Sequence, residues 1–432
     1  MTEKRIAVIG AGTMGAGIAQ LAAQNGFDVL LYDIKDEYVQ RGINTIKSAL
    51  QRRVDTAKMT SDEMTSYLQH IKTTTNRDDA ASSSLVVEAA PEDIVLKREI
   101  FGSLSSLGDP ETILATNTSS LSITSIAASA ARPEQVVGMH FFNPAPAMPL
   151  VEIIAGSRTA PEVVQKVADI ARELGKSPVM SADTPGFIVN RVARPFYGEA
   201  LKMLGEGAAT VPQIDEAMRG AGFRMGPFEL MDLIGIDINF AVTRSVFEAF
   251  FGEPRYRPHP IQQRMVEGAT LGRKSGRGFY NYEAGEKGDA AFGQFTNQMH
   301  KQLPLIPEPM TADFLQRGEI SIPDEGAQNA EVIVRILSMI INEAAFAAGE
   351  GVASVRDIDT AMRLGTNYPM GPLKWADHIG LDLVYSVLKT LQDTLGEERY
   401  RPAPMLMHLV NAGAIGDAVG TGFHTPGEKG MV

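Results

Sequence analysis

The second half of this chain is written twice. Ile214-Asp215-Glu216-Ala217-Met218 returns as Ile358-Asp359-Thr360-Ala361-Met362, and Met225-Gly226-Pro227 returns as Met370-Gly371-Pro372. Asp232, Gly235 and Asp237 return as Asp377, Gly380 and Asp382, and GEPRYRP at 252–258 returns as GEERYRP at 396–402. The offset is 144 or 145 throughout, so a single one-residue gap aligns the copies. Self-similarity of this extent implies a duplicated unit of about 100 residues. Apolar residues at 189–204 and 227–251 fall at helical spacing, and strand-like runs disappear after Thr184-Pro185-Gly186. The duplicated unit is therefore expected to be all-helical.

The first part follows another rule. Short β-branched runs at 5–9, 29–33, 85–89, 113–116, 136–142 and 151–155 alternate with helix-like segments near 14–25, 36–57, 94–107 and 161–174. Such alternation predicts an α/β domain with a parallel sheet covered on both faces. The expected layout is a Rossmann-type domain at 1–184, a helical domain at 185–282, a linker at 283–325 rich in Gly, Pro, Gln and charge, and a second, degenerate helical copy at 326–432.

Composition narrows the function. With no cysteine, the 432-residue chain has no disulfide scaffold, thiolate-bound metal, iron–sulfur cluster or thiol nucleophile, and no metal site is expected. Net charge is −12, a poor match to nucleic acid or an anionic membrane. No uninterrupted apolar stretch approaches the ~20 residues that span a bilayer. The N-terminus enters a strand within a few residues, leaving no room for a signal peptide, so a cytoplasmic protein is expected.

Gly10-Ala11-Gly12-Thr13-Met14-Gly15 is a GxGxxG that follows the apolar strand RIAVI and opens a helix, and Asp33 closes the next strand. Together these form the βαβ context of a dinucleotide site. Gly10 permits the tight turn, Gly12 lets the pyrophosphate approach, and Gly15 lets helix and strand pack closely. Asp33 can accept hydrogen bonds from ribose hydroxyls and repels a 2′-phosphate, which favours NAD over NADP. A second group of residues suits alcohol oxidation. His140 lies in MHFFNP, and Glu152 follows 12 residues later inside an apolar run. A buried Glu needs a partner, and a His on a neighbouring strand would supply one. Such a pair can take a hydroxyl proton. Ser119 in NTSS could bond the same oxygen, and Asn190 sits where the helical part begins. Each also has a plain structural reading: a satisfied core histidine, a helix cap at Ser119, a backbone-bonding Asn190.

VIGAGTMGAGIAQ, VVEAAPEDIVLK, TNTSSLSIT, GMHFFNPAPAMPLVEII and TPGFIVNR together resemble the 3-hydroxyacyl-CoA dehydrogenase family. The resemblance runs from about residue 4 to 282, with the repeat continuing to the end. It implies His140 as base, Glu152 as its orienting partner, Ser119 on the substrate oxygen and Asn190 as a positioning residue. It also implies Glu92, Lys97, Asn117 and Asn143 on the cofactor side, NAD as cofactor and an acyl-CoA as substrate. Arg52, Arg53 and Lys58 are candidates for the coenzyme A phosphates. FIVNRVARPFYGEA and GEERYRP look like the 3-hydroxyadipyl-CoA type, of phenylacetate breakdown, and the 3-hydroxybutyryl-CoA type. A dicarboxylic tail would need a far-end cation, for which Arg191, Arg194 and Arg224 are the nearest candidates.

The second copy has Val334 where the first has Asn190, and 416–423 lacks the basic residues of 273–279. It is expected to replace a dimer partner, as an intrachain pseudo-dimer within a monomer; a homodimer is the other option. Two other functions fit less well. One is a non-catalytic NAD-binding structural protein. The other is a Rossmann dehydrogenase for a free hydroxy acid.

Overall fold

The computed structural model describes residues 5–283, 285–291, 305–321 and 326–424 and divides them into two compact units, 1–187 and 188–432. The linker residues 292–304 and 322–325 and the tail 425–432, on which parts of the expected layout fall, lie outside the described residues.

In the first unit the chain runs β1 (Arg5–Ile9), α1 (Thr13–Gln24), β2 (Asp28–Tyr32), α2 (Asp36–Asp55), α3 (Ser61–Gln69), β3 (Ile71–Thr74), β4 (Leu85–Glu88) and α4 (Ile94–Leu107). It continues through β5 (Ile113–Thr116), α5 (Ile123–Ala127), β6 (Val136–Phe141), β7 (Leu150–Ala155), α6 (Pro161–Glu173) and β8 (Ser177–Ala182). The eight strands form one sheet in the order β3-β2-β1-β4-β5-β6-β7-β8. Chain order reverses between β1 and β4, and the crevice at the carboxyl ends there is where such sheets bind ligands. The central strands are buried on both faces, which is why they read as continuous Val/Ile/Leu runs.

The sheet is not wholly parallel, which corrects the expectation. β6 and β7 pair antiparallel, with His140 directly opposite Glu152. Only eight residues join them, too few for the crossover that parallel strands require. Two strands and a helix escaped the sequence reading. β3 (IKTT) has little apolar content, β8 carries Pro178, and α3 has no fully buried residue and is defined by a Thr60/Glu63 capping box.

The second unit contains α7 (Val189–Val192), α8 (Arg194–Glu206), α9 (Val211–Gly220), α10 (Pro227–Ile234), α11 (Ile236–Ala249), α12 (Pro260–Glu267), β9 (Tyr280–Glu283) and β10 (Glu286–Ala290). These are followed by α13 (Glu308–Arg317), α14 (Gly326–Gly349), α15 (Val355–Thr366), α16 (Pro372–Ile379), α17 (Leu381–Leu395) and α18 (Pro404–Asn411). It is therefore not purely helical: β9 and β10 form a hairpin. The expected linker likewise holds structure, because β10 and α13 lie within it. α13 buries Phe314 and Leu315 and packs on α14, α16 and α17. The continuous helices expected at 189–204 and 227–251 are each broken, the second at Gly235, whose φ is 101°. α14 contains an apolar stretch, Asn329–Gly349, long enough to cross a bilayer, but it is the buried core helix of this unit.

The copies meet through reciprocal ion pairs. Arg191 Nε donates to Glu343 at 2.7 Å, and Arg335 Nη2 donates to Glu199 at 2.6 Å. Arg255 and Tyr256 bond Glu343, while Arg399 and Tyr400 contact Glu199. Each group is the repeat equivalent of its opposite number, so the contact obeys a pseudo-two-fold, as an isologous dimer does. Burial alone would push the Glu199 carboxyl up, but the Arg335 and Arg399 guanidiniums outweigh it and hold the carboxyl low.

Candidate active site

The glycine turn is built as its sequence requires. Gly10 has φ 99°, and a Cβ there would sit 2.7 Å from the Ala89 carbonyl oxygen. A Cβ on Gly15 would come within 1.8 Å of the Gly10 oxygen, so only glycine lets α1 pack this close to β1. A Cβ on Gly12 would meet nothing within 4 Å. That space, at the N-terminus of α1, is where a pyrophosphate can face unpaired N–H groups. The Asp33 carboxylate ties the turn to β2, accepting from Ala11 N and Ile34 N, each at 2.8 Å. Open space at Gly12 and an acid at the end of β2 fit NAD.

Four strands further on, His140 Nδ1 lies 2.6 Å from Glu152 Oε2. Glu152 is fully buried and His140 is 6% exposed. The pair is a direct consequence of antiparallel register, which sets the two side chains on one face of the sheet. The imidazole is flanked by the rings of Phe142 and Phe187, with centroids 4.6 and 6.0 Å away. With Nδ1 held by the carboxylate, proton exchange falls to Nε2. Asn117 Oδ1 accepts from Phe141 N at 2.8 Å, fixing the end of β5 to the strand that carries His140. Asn143 is exposed just beyond β6 and is joined to Pro144 by a cis peptide bond.

Glu92 and Lys97 belong to a network in which sequence reasoning missed the central residue, Glu88. The Glu88 carboxylate is buried and accepts from Lys97 Nζ, Ala90 N and Thr116 Oγ1, each at 2.7 Å. Its signal was a charge ending the apolar run LVVE. Lys97 Nζ also lies 3.4 Å from Glu92 Oε2. Glu92 Oε1 accepts from Thr118 Oγ1, Ser119 N and Ser120 Oγ at 2.6, 3.1 and 3.0 Å. Burial works against the Glu92 charge, yet Thr118, Lys97 and Ser120 hold its carboxyl below the usual range. The expected nicotinamide-side acid thus grips the turn that bears Ser119.

Asn190 lies in α7 of the helical unit, where its carbonyl accepts from Arg194 Nε at 2.7 Å. Arg52, Arg53 and Lys58 are exposed at and just beyond the end of α2. Basic residues there also complement the helix C-terminus. Arg191 is corrected: it is fully buried against Glu343 and cannot reach a substrate carboxylate. Arg194 is buried too, donating to Asn190 O and Thr243, whereas Arg224 is exposed.

The NAD-binding domain of 3-hydroxyacyl-CoA dehydrogenase matches residues 5–184, and the C-terminal domain of 3-hydroxyacyl-CoA dehydrogenase matches 186–282 and 332–425. The chain belongs to the 3-hydroxyacyl-CoA dehydrogenase family. Among its relatives in that family, the 3-hydroxyadipyl-CoA dehydrogenase of Escherichia coli K12 is 42% identical, over 93% of this chain and 96% of its own. The 3-hydroxybutyryl-CoA dehydrogenase of Clostridioides difficile is 41% identical, matching 64% of this chain with 99% of its own length. A crystal structure of 3-hydroxybutyryl-CoA dehydrogenase from Escherichia coli K12 superposes with a TM-score of 0.83 at 39% identity, covering 96% of this chain and all of the other.

Proposed function

We propose that this chain is an NAD-dependent 3-hydroxyacyl-CoA dehydrogenase in which His140 and Glu152 form the acid–base pair. Bound NAD supplies the hydride acceptor. As C3 of the substrate gives up hydride, His140 Nε2 takes the hydroxyl proton, and Glu152 stabilises the resulting imidazolium through Nδ1. In the reverse direction Nε2 returns the proton to the keto oxygen. Ser119, held by Glu92, is positioned to bond that oxygen, and Asn190 contributes from the helical unit. Asp33 selects NAD by its charge, and Lys97, Asn117 and Asn143 complete the cofactor side. Arg52, Arg53 and Lys58 are proposed for the coenzyme A phosphates. The observation that carries the reading is the 2.6 Å buried His140–Glu152 contact.

A short or medium acyl chain is expected, with 3-hydroxybutyryl-CoA and 3-hydroxyadipyl-CoA as the two candidates. The second would place the enzyme in phenylacetate breakdown. With Arg191 and Arg194 buried, a distal carboxylate is left with Arg224 among the cations considered. A net charge of −12 supports a cytoplasmic setting without nucleic-acid or membrane partners. The reciprocal ion pairs support a monomer with an intrachain pseudo-dimer over a homodimer. The test is NADH oxidation with acetoacetyl-CoA, compared by kcat/KM with 3-oxoadipyl-CoA. Turnover of either supports the assignment, and their ratio names the chain class. Activity only on free hydroxy acids, or none at all, overturns it.

A further inference from the structure

Lys176 is 7% exposed, and it makes no ion pair with an acid among the described residues. An isolated ammonium is costly to bury. Here its three N–H donors turn to three backbone carbonyls of one loop: Ala145 O at 2.7 Å, Met148 O at 2.8 Å and Pro146 O at 3.4 Å. Burial pushes its pKa down, so the charge is kept against a real penalty. That loop joins β6 to β7. It leaves the strand of His140, carries Asn143, and enters the strand of Glu152.

The loop is also pressed against the dinucleotide helix. A Cβ on Gly17 of α1 would lie 3.4 Å from Ala145 Cβ and 3.5 Å from Pro146 Cδ. Lys176 stands at the start of β8, which pairs with β7 from the other side. The ammonium is therefore an internal cation around which the loop is folded, with α1 as its seat. A simple structural tie would need one carbonyl. Convergence of three, on the segment linking the acid–base pair and facing the cofactor helix, fixes the loop's conformation as well as its place.

We propose that Lys176 is a positioning residue for the reaction: it holds the 142–149 loop so that His140 and Asn143 stay in register with the nucleotide seated on α1. The inference rests on the assignment of His140 and Glu152 above. Lys176→Met keeps the length and removes the charge and donors. We expect a folded protein by circular dichroism whose kcat for acetoacetyl-CoA reduction, measured well below its Tm, falls by about 10- to 100-fold, the scale of a 1 Å misplacement. KM for acetoacetyl-CoA should change by less than about threefold, and NADH affinity should weaken. A drop in Tm with kcat within twofold of wild type would make Lys176 merely structural and overturn the proposal. Should Lys176→Met not fold, Lys176→Gln, which keeps two N–H donors, gives the same reading. His140→Ala is run alongside. If it turns over normally, the acid–base assignment fails. If it is inactive while Lys176→Met is fully active, only the present inference fails.

Discussion

At the scale of single residues, the chemistry reduces to two carboxylates that are kept charged. Glu152 is enclosed in an apolar strand and has the imidazole as its partner. Glu152→Gln retains an acceptor for Nδ1–H but removes the charge that stabilises the imidazolium. A charge-assisted hydrogen bond contributes ~1.5–3 kcal/mol, so we expect kcat to fall by about 10- to 100-fold, with NADH affinity, read by fluorescence titration, unchanged. Asp33 does a different task, holding Ala11 N while facing the ribose. Asp33→Ala should weaken NAD binding by about tenfold and narrow its advantage over NADP, a shift seen in the ratio of the two Kd values. Both residues could be found in the sequence because each is a charge at the end of, or inside, a hydrophobic run. Glu88 has the same signature in LVVE and was passed over, since its partner Lys97 lies nine residues on, beyond a loop.

Among elements, the β6–β7 pair shows what periodicity alone misses. The strands themselves were evident, and their relative direction was set by an eight-residue connection whose meaning is geometric. β3 and β8 were missed because edge strands bury little and need less apolar sequence. The two helical copies differ in a way that pH reveals. Tyr280 of the first copy bonds Asp215, and its repeat equivalent is His424, which sits 2.7 Å from Asp377 and 3.3 Å from Asp359. Hydrogen bonds to Asp359 and Asp377, opposed by burial, raise the imidazole from its ordinary 6.5 to about 9. A raised folded-state pKa means the contribution is complete below about 6.5 and is lost as pH rises through about 9. Thermal melts should show Tm falling between pH 7 and 10, and His424→Tyr, which installs the first copy's residue, should flatten that decline. An equal decline in both proteins would locate the sensitivity elsewhere.

Over the whole molecule, the repeat was legible from residue identities, and its purpose emerged from the ion pairs. Arg191 and Arg335 looked like equivalent cations on a helix face; each is fully buried and committed to a glutamate of the other copy. Nothing in the spacing announces that cross-pairing, because it is long-range in sequence. Removing residues 326–432 leaves Arg191 and Glu199 buried without their partners, and breaking such a pair costs ~3–5 kcal/mol. The truncated chain should be insoluble or dimerise through the exposed surface. A soluble monomer with an unaltered melting temperature would contradict the pseudo-dimer. Everything proposed about catalysis depends on one imidazole, so the most direct test is kcat of His140→Ala for acetoacetyl-CoA reduction by NADH, with NADH affinity measured on the same sample. The account predicts a loss of at least ~100-fold, the lower end of general acid–base contributions, with nucleotide binding retained; turnover at the wild-type rate would contradict it.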